Sequence, residues 1–147
     1  VYDIGACRVG IMVCFDWFFP EAMRTLALKG AQVVCHPANL VLPYCQAAMV
    51  TRCLENRVFA VTCNRTGTEQ RGGKSLHYTG KSQITDTMGD ILSRAGEDEE
   101  CVGVFEVDPA KALDKQLNAH NNLFGDRRPS FYRDICRQAA VGVITKA

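Results

Sequence analysis

At 147 residues the chain is long enough for one domain with a substantial core and too short for two. Hydrophobic residues make up 47% and charged residues 22%, the balance of an ordinary soluble globular protein. Seventeen Lys+Arg against sixteen Asp+Glu leave a net charge of +1 with no basic block or acidic tail, which disfavours nucleic acid and membrane as partners. No apolar stretch has the length of a membrane span, and the N-terminus lacks a charged-then-apolar signal pattern.

Tyr2 and Ile4 lead through Gly5-Ala6 as one arm of a hairpin, with no initiator Met, the pattern expected of a segment from a longer protein. The apolar run Val9-Gly10-Ile11-Met12-Val13 predicts a buried strand over residues 8–13 that ends on Cys14. A short turn then enters a helix over about residues 20–28 with proline in its first turn. Met23, Leu26 and Ala27 share one face, and Lys29-Gly30 ends it. A second buried strand is expected over residues 32–36, broken by Pro37, followed by a loop over 38–43 and a helix over about 44–57. Residues 58–63 form a third buried strand. This β-α-β-α-β alternation argues for an α/β fold with a parallel sheet and helical crossovers, in which sites form at the carboxyl ends of strands. Cys14, His36 and Asn64 all fall at such ends.

Beyond Asn64 the character changes. Residues 65–74 are a polar, glycine-bearing loop. Residues 81–86 and 91–95 flank Thr87-Met88-Gly89-Asp90 as a hairpin. Another strand is expected over 101–107, and Asp108 is placed to cap a short helix beginning at Pro109. Residues 118–147 show little periodicity and are expected to form a tail laid over the rest. No repeat or linker interrupts the chain, so residues 1–147 are taken as one domain.

Eight cysteines at positions 7, 14, 35, 45, 53, 63, 101 and 136 form no CxxC pair. A disulfide framework suits a smaller, loop-rich secreted chain, and a zinc site needs clustered ligands, so reduced cysteines, a cytoplasmic setting and no metal or cofactor are expected. Seven of the eight are expected to act as small buried hydrophobes. Cys14 differs because it closes a strand and precedes a turn into a helix. New helix N–H groups and the positive end of the helix dipole favour its thiolate, the nucleophilic form. The physical pattern is a nucleophile elbow, with the backbone N–H of Phe15 free to face a developing oxyanion.

The run Cys14-Phe15-Asp16 through Phe19-Pro20-Glu21 resembles the nucleophile motif of the nitrilase superfamily, the carbon–nitrogen hydrolases. Further similar motifs follow in that family's order: Gly30-Ala31 with Pro37-Ala38-Asn39; Arg52 with Glu55-Asn56; Asn64-Arg65-Thr66-Gly67; Gly80-Lys81-Ser82 with Asp86 and Gly89; and Arg127-Arg128-Pro129-Ser130-Phe131-Tyr132. The resemblance implies the second half of a four-layer αββα sandwich, completed by a missing N-terminal half and assembled into a homo-oligomer through its outer helices. It implies hydrolysis of amide, carbamoyl or nitrile C–N bonds through a thioester or thioimidate on Cys14. The family's general-base glutamate and its lysine lie upstream of the cysteine motif, and Glu21 and Lys29 do not replace them. Alone, the chain is therefore expected to turn over poorly. By the same resemblance Asn39, Trp17 and Phe18 line the pocket for a small amide or carbamoyl substrate. Trp17-Phe18 stands where some amino-acid carbamoylases carry carboxylate-binding arginines, and the pattern is closer to the carbamoyl-polyamine amidases.

Other readings are weaker. His36 could form a Cys–His dyad with Cys14, but a satisfied histidine at a strand end is the commoner outcome. His77 and His120 fall in loops. Gly72-Gly73-Lys74-Ser75 lacks the glycine spacing and the following helix of a phosphate loop. Arg52, Glu55 and Asn56 are expected to pair within the scaffold, with Asp16 or Glu21 as candidate partners. Arg127-Arg128 suits a structural or subunit contact. A non-catalytic binding or assembly module is the alternative function, and a redox protein ranks last because no resolving cysteine lies nearby in sequence.

Overall fold

A computed structural model of the chain describes residues 1–137. Strand β1 (Tyr2–Asp3) pairs antiparallel with β2 (Arg8–Ile11), the short hairpin expected at the start. A 3-10 turn, Cys14–Phe18, separates β2 from helix α1 (Pro20–Leu28), whose first residue is the expected proline. Then follow β3 (Val33–Ala38), α2 (Cys45–Asn56) and β4 (Phe59–Asn64). Strands β2, β3 and β4 are parallel, so the two helices are the predicted crossovers. A left-handed Arg57 (φ +47) stops α2.

Pro37 does not break β3, contrary to the expectation. The ladder to β4 runs from Val33↔Phe59 to Ala38↔Asn64. In a parallel strand alternate residues bond to opposite neighbours. Cys35 accepts from Met12 N on the β2 side, so Pro37 faces that side too, where β2 has already ended. The missing N–H of Pro37 therefore costs no ladder bond.

The expected loop over 65–74 instead begins a hairpin that runs on to residue 77, β5 (Thr68–Arg71) and β6 (Lys74–His77), joined by Gly72 and Gly73, both at positive φ. Its strands are largely exposed, so no apolar alternation marked them. Strands β7 (Gln83–Thr85) and β8 (Ile91–Arg94) form the expected second hairpin and extend the main sheet, ordered β1-β2-β3-β4-β7-β8. Residues 101–107 are not a strand: Val102 and Val104 are 93% and 88% exposed, and no neighbouring strand pairs with them. Asp108 does cap the next turn, a 3-10 helix at Pro109–Ala112, by accepting the Ala110 N–H at 2.9 Å. The expected tail also includes residues 138–147, which lie outside the described residues.

Both helices cover one face of the sheet. Met12, Trp17, Met23, Val34, Met49, Cys53, Val58 and Ala60 form the core between them. Gly10 lets α1 approach closely, because a Cβ there would lie 3.1 Å from Ala31 Cβ and 3.2 Å from Leu26. On the opposite face Ile11 and Val61 remain 50% and 37% exposed. Among the described residues no helix covers that face.

Candidate active site

Cys14 lies where β2 leaves the sheet and adopts φ +47. A non-glycine residue held in this left-handed region costs about 1–3 kcal/mol and persists only when its surroundings impose it. Two groups impose it here. The Asp16 carboxylate accepts the Val13 N–H at 2.9 Å while Asp16 N–H bonds back to Val13 O at 3.1 Å, closing the turn from below. From β3, His36 Nε2 donates to Cys14 O at 2.8 Å. The Cys14 thiol is half-buried, with Sγ 4.0 Å from Asn39 O. The structure thus joins Cys14 and Asn39, which are 25 residues apart in sequence.

The elbow differs from the expected strand–turn–helix in one respect. Cys14 begins the 3-10 turn, and α1 starts only at Pro20, so the thiol does not stand at the N-terminus of that helix. Among the described residues no acceptor meets the Phe15 N–H, which leaves this donor free beside the thiol. The Phe15 ring stacks on Phe18 at 5.2 Å and meets Phe19 edge-on at 5.7 Å. Phe18 is 51% exposed, whereas Trp17 is buried in the core and touches Phe18 at 4.9 Å. Phe15, Phe18 and Asn39 are thus exposed around the thiol, with Trp17 behind them.

His36 is not a dyad partner by this geometry, since its ring nitrogens are engaged with Cys14 O and with Thr62 Oγ1 at 3.2 Å. A carbonyl can only accept, so Nε2 carries the proton and Nδ1 is free to accept from Thr62. Burial holds the imidazole pKa below its usual value; the Cys14 carbonyl and the Asp16 charge oppose this more weakly. Neutral His36 is therefore the form that fits the site.

The loop carrying Asn39 is shaped by Asn64, one of the three residues marked at strand ends. Asn64 Oδ1 accepts the Leu40 N–H at 2.8 Å, and Nδ2 donates to Gly80 O at 2.7 Å and Thr79 Oγ1 at 3.1 Å. This bridging was invisible in the sequence, because Leu40 and Gly80 lie 24 and 16 residues away. Arg52 pairs with Glu55 at 3.2 Å, and Asn56 Nδ2 donates to Arg52 O at 2.8 Å. The scaffold pairing is real, but the partners are one another rather than Asp16 or Glu21. Glu21 and Lys29 are exposed at opposite ends of α1. Gly72-Gly73 form the β5–β6 turn and Lys74-Ser75 open β6, so no helix follows the glycines. Burial pushes Cys45 up to about 12, with the nearby Cys14 adding to the rise, which favours an un-ionised thiol. Among the described residues no group of three His, Cys, Asp or Glu could hold a metal, and no helix is long and apolar enough to cross a membrane.

These features define an α/β protein built around a cysteine elbow at the carboxyl edge of its sheet. The family model for carbon–nitrogen hydrolases matches residues 1–113, and the chain belongs to that family, within the nitrilase superfamily. A nitrilase from Pyrococcus abyssi is 52% identical over 132 residues, covering 90% of this chain and 49% of the relative. N-carbamoylputrescine amidase of Solanum tuberosum is 29% identical over 147 residues, covering 90% of this chain and 48% of the relative. The chain therefore spans about half the length of the curated relatives it matches. Among solved structures, a mutant amidase from Nesterenkonia sp. AN1 superposes with a TM-score of 0.65 at 27% identity, over 86% of this chain and 43% of that one. It carries the acetamide moiety of fluoroacetamide covalently added at its active-site cysteine.

Proposed function

We propose that the chain supplies the nucleophile-bearing half of a hydrolase of non-peptide C–N bonds, with a small amide or carbamoyl compound as substrate. The observation that carries this reading is the Cys14–Phe15 elbow: a constrained, partly accessible thiol beside a backbone N–H with no acceptor. Cys14 Sγ attacks the carbonyl carbon, and the C=O electron pair moves onto oxygen, where Phe15 N–H donates to it. The C–N bond then breaks, the nitrogen leaves with a proton, and the acyl or carbamoyl group remains on sulfur as a thioester. Water releases it and restores the thiol.

Asn39 and Phe18 border the substrate, with Trp17 supporting Phe18. The covalent adduct on the cysteine of the Nesterenkonia amidase supports the nucleophile assignment. The resemblance of the cysteine motif supports amide and carbamoyl compounds as the substrate class. In this reading the proton-transferring glutamate and the cationic lysine belong to a first half packed against this one, and the assembled protein is a cytoplasmic homo-oligomer.

The test is amine or ammonia release from amide and carbamoyl compounds by the protein assembled with that half. Cys14→Ala should lower kcat by about a thousandfold or more. No release from the assembled wild-type protein would favour a binding or assembly module, and release that survives Cys14→Ala would overturn the assignment of Cys14 as nucleophile.

A further inference from the structure

We infer that His36 is a positioning residue that orients the Cys14–Phe15 peptide and thereby aims the oxyanion donor. This rests on the proposed hydrolase reading and adds a residue to its site. A trans peptide is planar, and its C=O and N–H point in opposite directions. Fixing the carbonyl of Cys14 therefore fixes the direction of the Phe15 N–H. Within the 3-10 turn Cys14–Phe18 that carbonyl takes the i→i+3 backbone bond, and the only side-chain donor that adds to it among the described residues is His36 Nε2, at 2.8 Å.

The donor is itself immobilised. His36 is fully buried, and its other nitrogen is held by Thr62 Oγ1 on the adjacent strand, in register at His36↔Thr62. Thr62, His36 and the Cys14 carbonyl form a chain of hydrogen bonds that ends on the peptide bearing the free Phe15 N–H. Such chains polarise each successive group, so a hydrogen bond received by the carbonyl makes the N–H of the same peptide a better donor. The left-handed φ of Cys14 is maintained by the same contact together with the Asp16 turn. His36 never touches the reacting atoms; it acts through the backbone.

Two measurements on the full protein test this. The first needs no turnover: ¹⁵N shifts of the His36 ring should show a neutral imidazole protonated on Nε2 at neutral pH. A ring protonated on Nδ1 alone would overturn the proposal.

The second compares variants. His36→Leu, which cannot donate, should lower kcat for amide hydrolysis about tenfold or more, with KM changed less than about twofold, because the donor acts on the transition state. His36→Gln places an amide N–H near the Nε2 position and should recover most of the loss. Alkylation of Cys14 by 2-chloroacetamide, in which Sγ displaces chloride without forming an oxyanion, should stay within about threefold of wild type in both variants. Unchanged kcat in His36→Leu, equal losses in Leu and Gln, or alkylation falling in step with kcat would each overturn the proposal. If His36→Leu does not fold, His36→Asn replaces it. Its shorter amide cannot reach Cys14 O, and activity equal to that of His36→Gln would count against the role. Hydrolysis that survives Cys14→Ala would instead remove Cys14 as the nucleophile, the reading on which this proposal rests, and leave the ring measurement to decide the geometry.

Discussion

Cys14 occupies a backbone conformation that its own side chain disfavours, so the energy that maintains it must come from neighbours. Asp16 supplies part of it through the Val13 N–H. Asp16→Ala should destabilise the chain by about 0.5–2 kcal/mol, the usual cost of losing such a side-chain cap. Urea unfolding would read this directly, and a ΔΔG near zero would show that the turn stands without the carboxylate.

His36 contributes with a sign that can be worked out. Its pKa in the fold is lowered from the usual 6.5 by burial, so the unfolded chain binds a proton more readily than the folded one. Its contribution to stability is fully present above that value and is lost as the pH falls from 6.5 toward the depressed folded value. His36→Gln, which does not titrate, should show a smaller loss of stability over that acidic range. Parallel stability-against-pH curves for the two proteins would contradict this.

At this scale the sequence identified Cys14 from the apolar run it closes and the proline helix start after it. It could not reveal the bond from His36 to the Cys14 carbonyl. That contact depends on the alignment of two strands 22 residues apart, and no local pattern encodes which atom of a neighbour a ring will reach.

At the scale of elements, the periodic segments were legible. Helix α1 has the expected limits, and α2 and the parallel strands fall within two residues of theirs. What was missed has two physical causes. The β5–β6 hairpin is exposed on both sides, so burial left no alternation to read, and only Gly72-Gly73 hinted at it. Residues 101–107 carry the alternation of a strand, but strands are made by partners, and none is adjacent among the described residues.

The loops at the carboxyl edge are joined at Gly80, whose carbonyl accepts from both Asn64 Nδ2 and Gln46 Nε2. Its φ is +54, and a Cβ there would collide with the Glu97 carbonyl. Gly80→Ala therefore combines backbone strain with a clash against main chain, and should cost about 3 kcal/mol or more. A thermal melt unchanged by the substitution would refute this joint. Met49, fully buried between α2 and the sheet, gives the comparison for simple packing: Met49→Ala should cost about 2–5 kcal/mol by leaving a cavity.

For the molecule as a whole, the decisive feature is the sheet face without helices. Ile11, Cys35, Val61 and Ile84 lie in one row across four strands, paired Ile11↔Cys35, Cys35↔Val61 and Val61↔Ile84. A row of apolar side chains on a sheet of six strands, open to water at Ile11 and Val61, is the kind of continuous patch that drives association. Burial of such surface releases about 25 cal/mol per Å², and nothing within residues 1–137 provides a covering layer. The 147-residue chain in isolation should therefore self-associate, with a weight-average mass above the monomer's 16.2 kDa that rises with concentration in sedimentation equilibrium. Val61→Lys places a charge in the middle of the row without disturbing the helix-covered face, and should shift the population toward monomer while the far-ultraviolet spectrum is retained. A wild-type chain that sediments as a monomer at every concentration would show that this face needs no partner, and the need for a second sheet would fall with it.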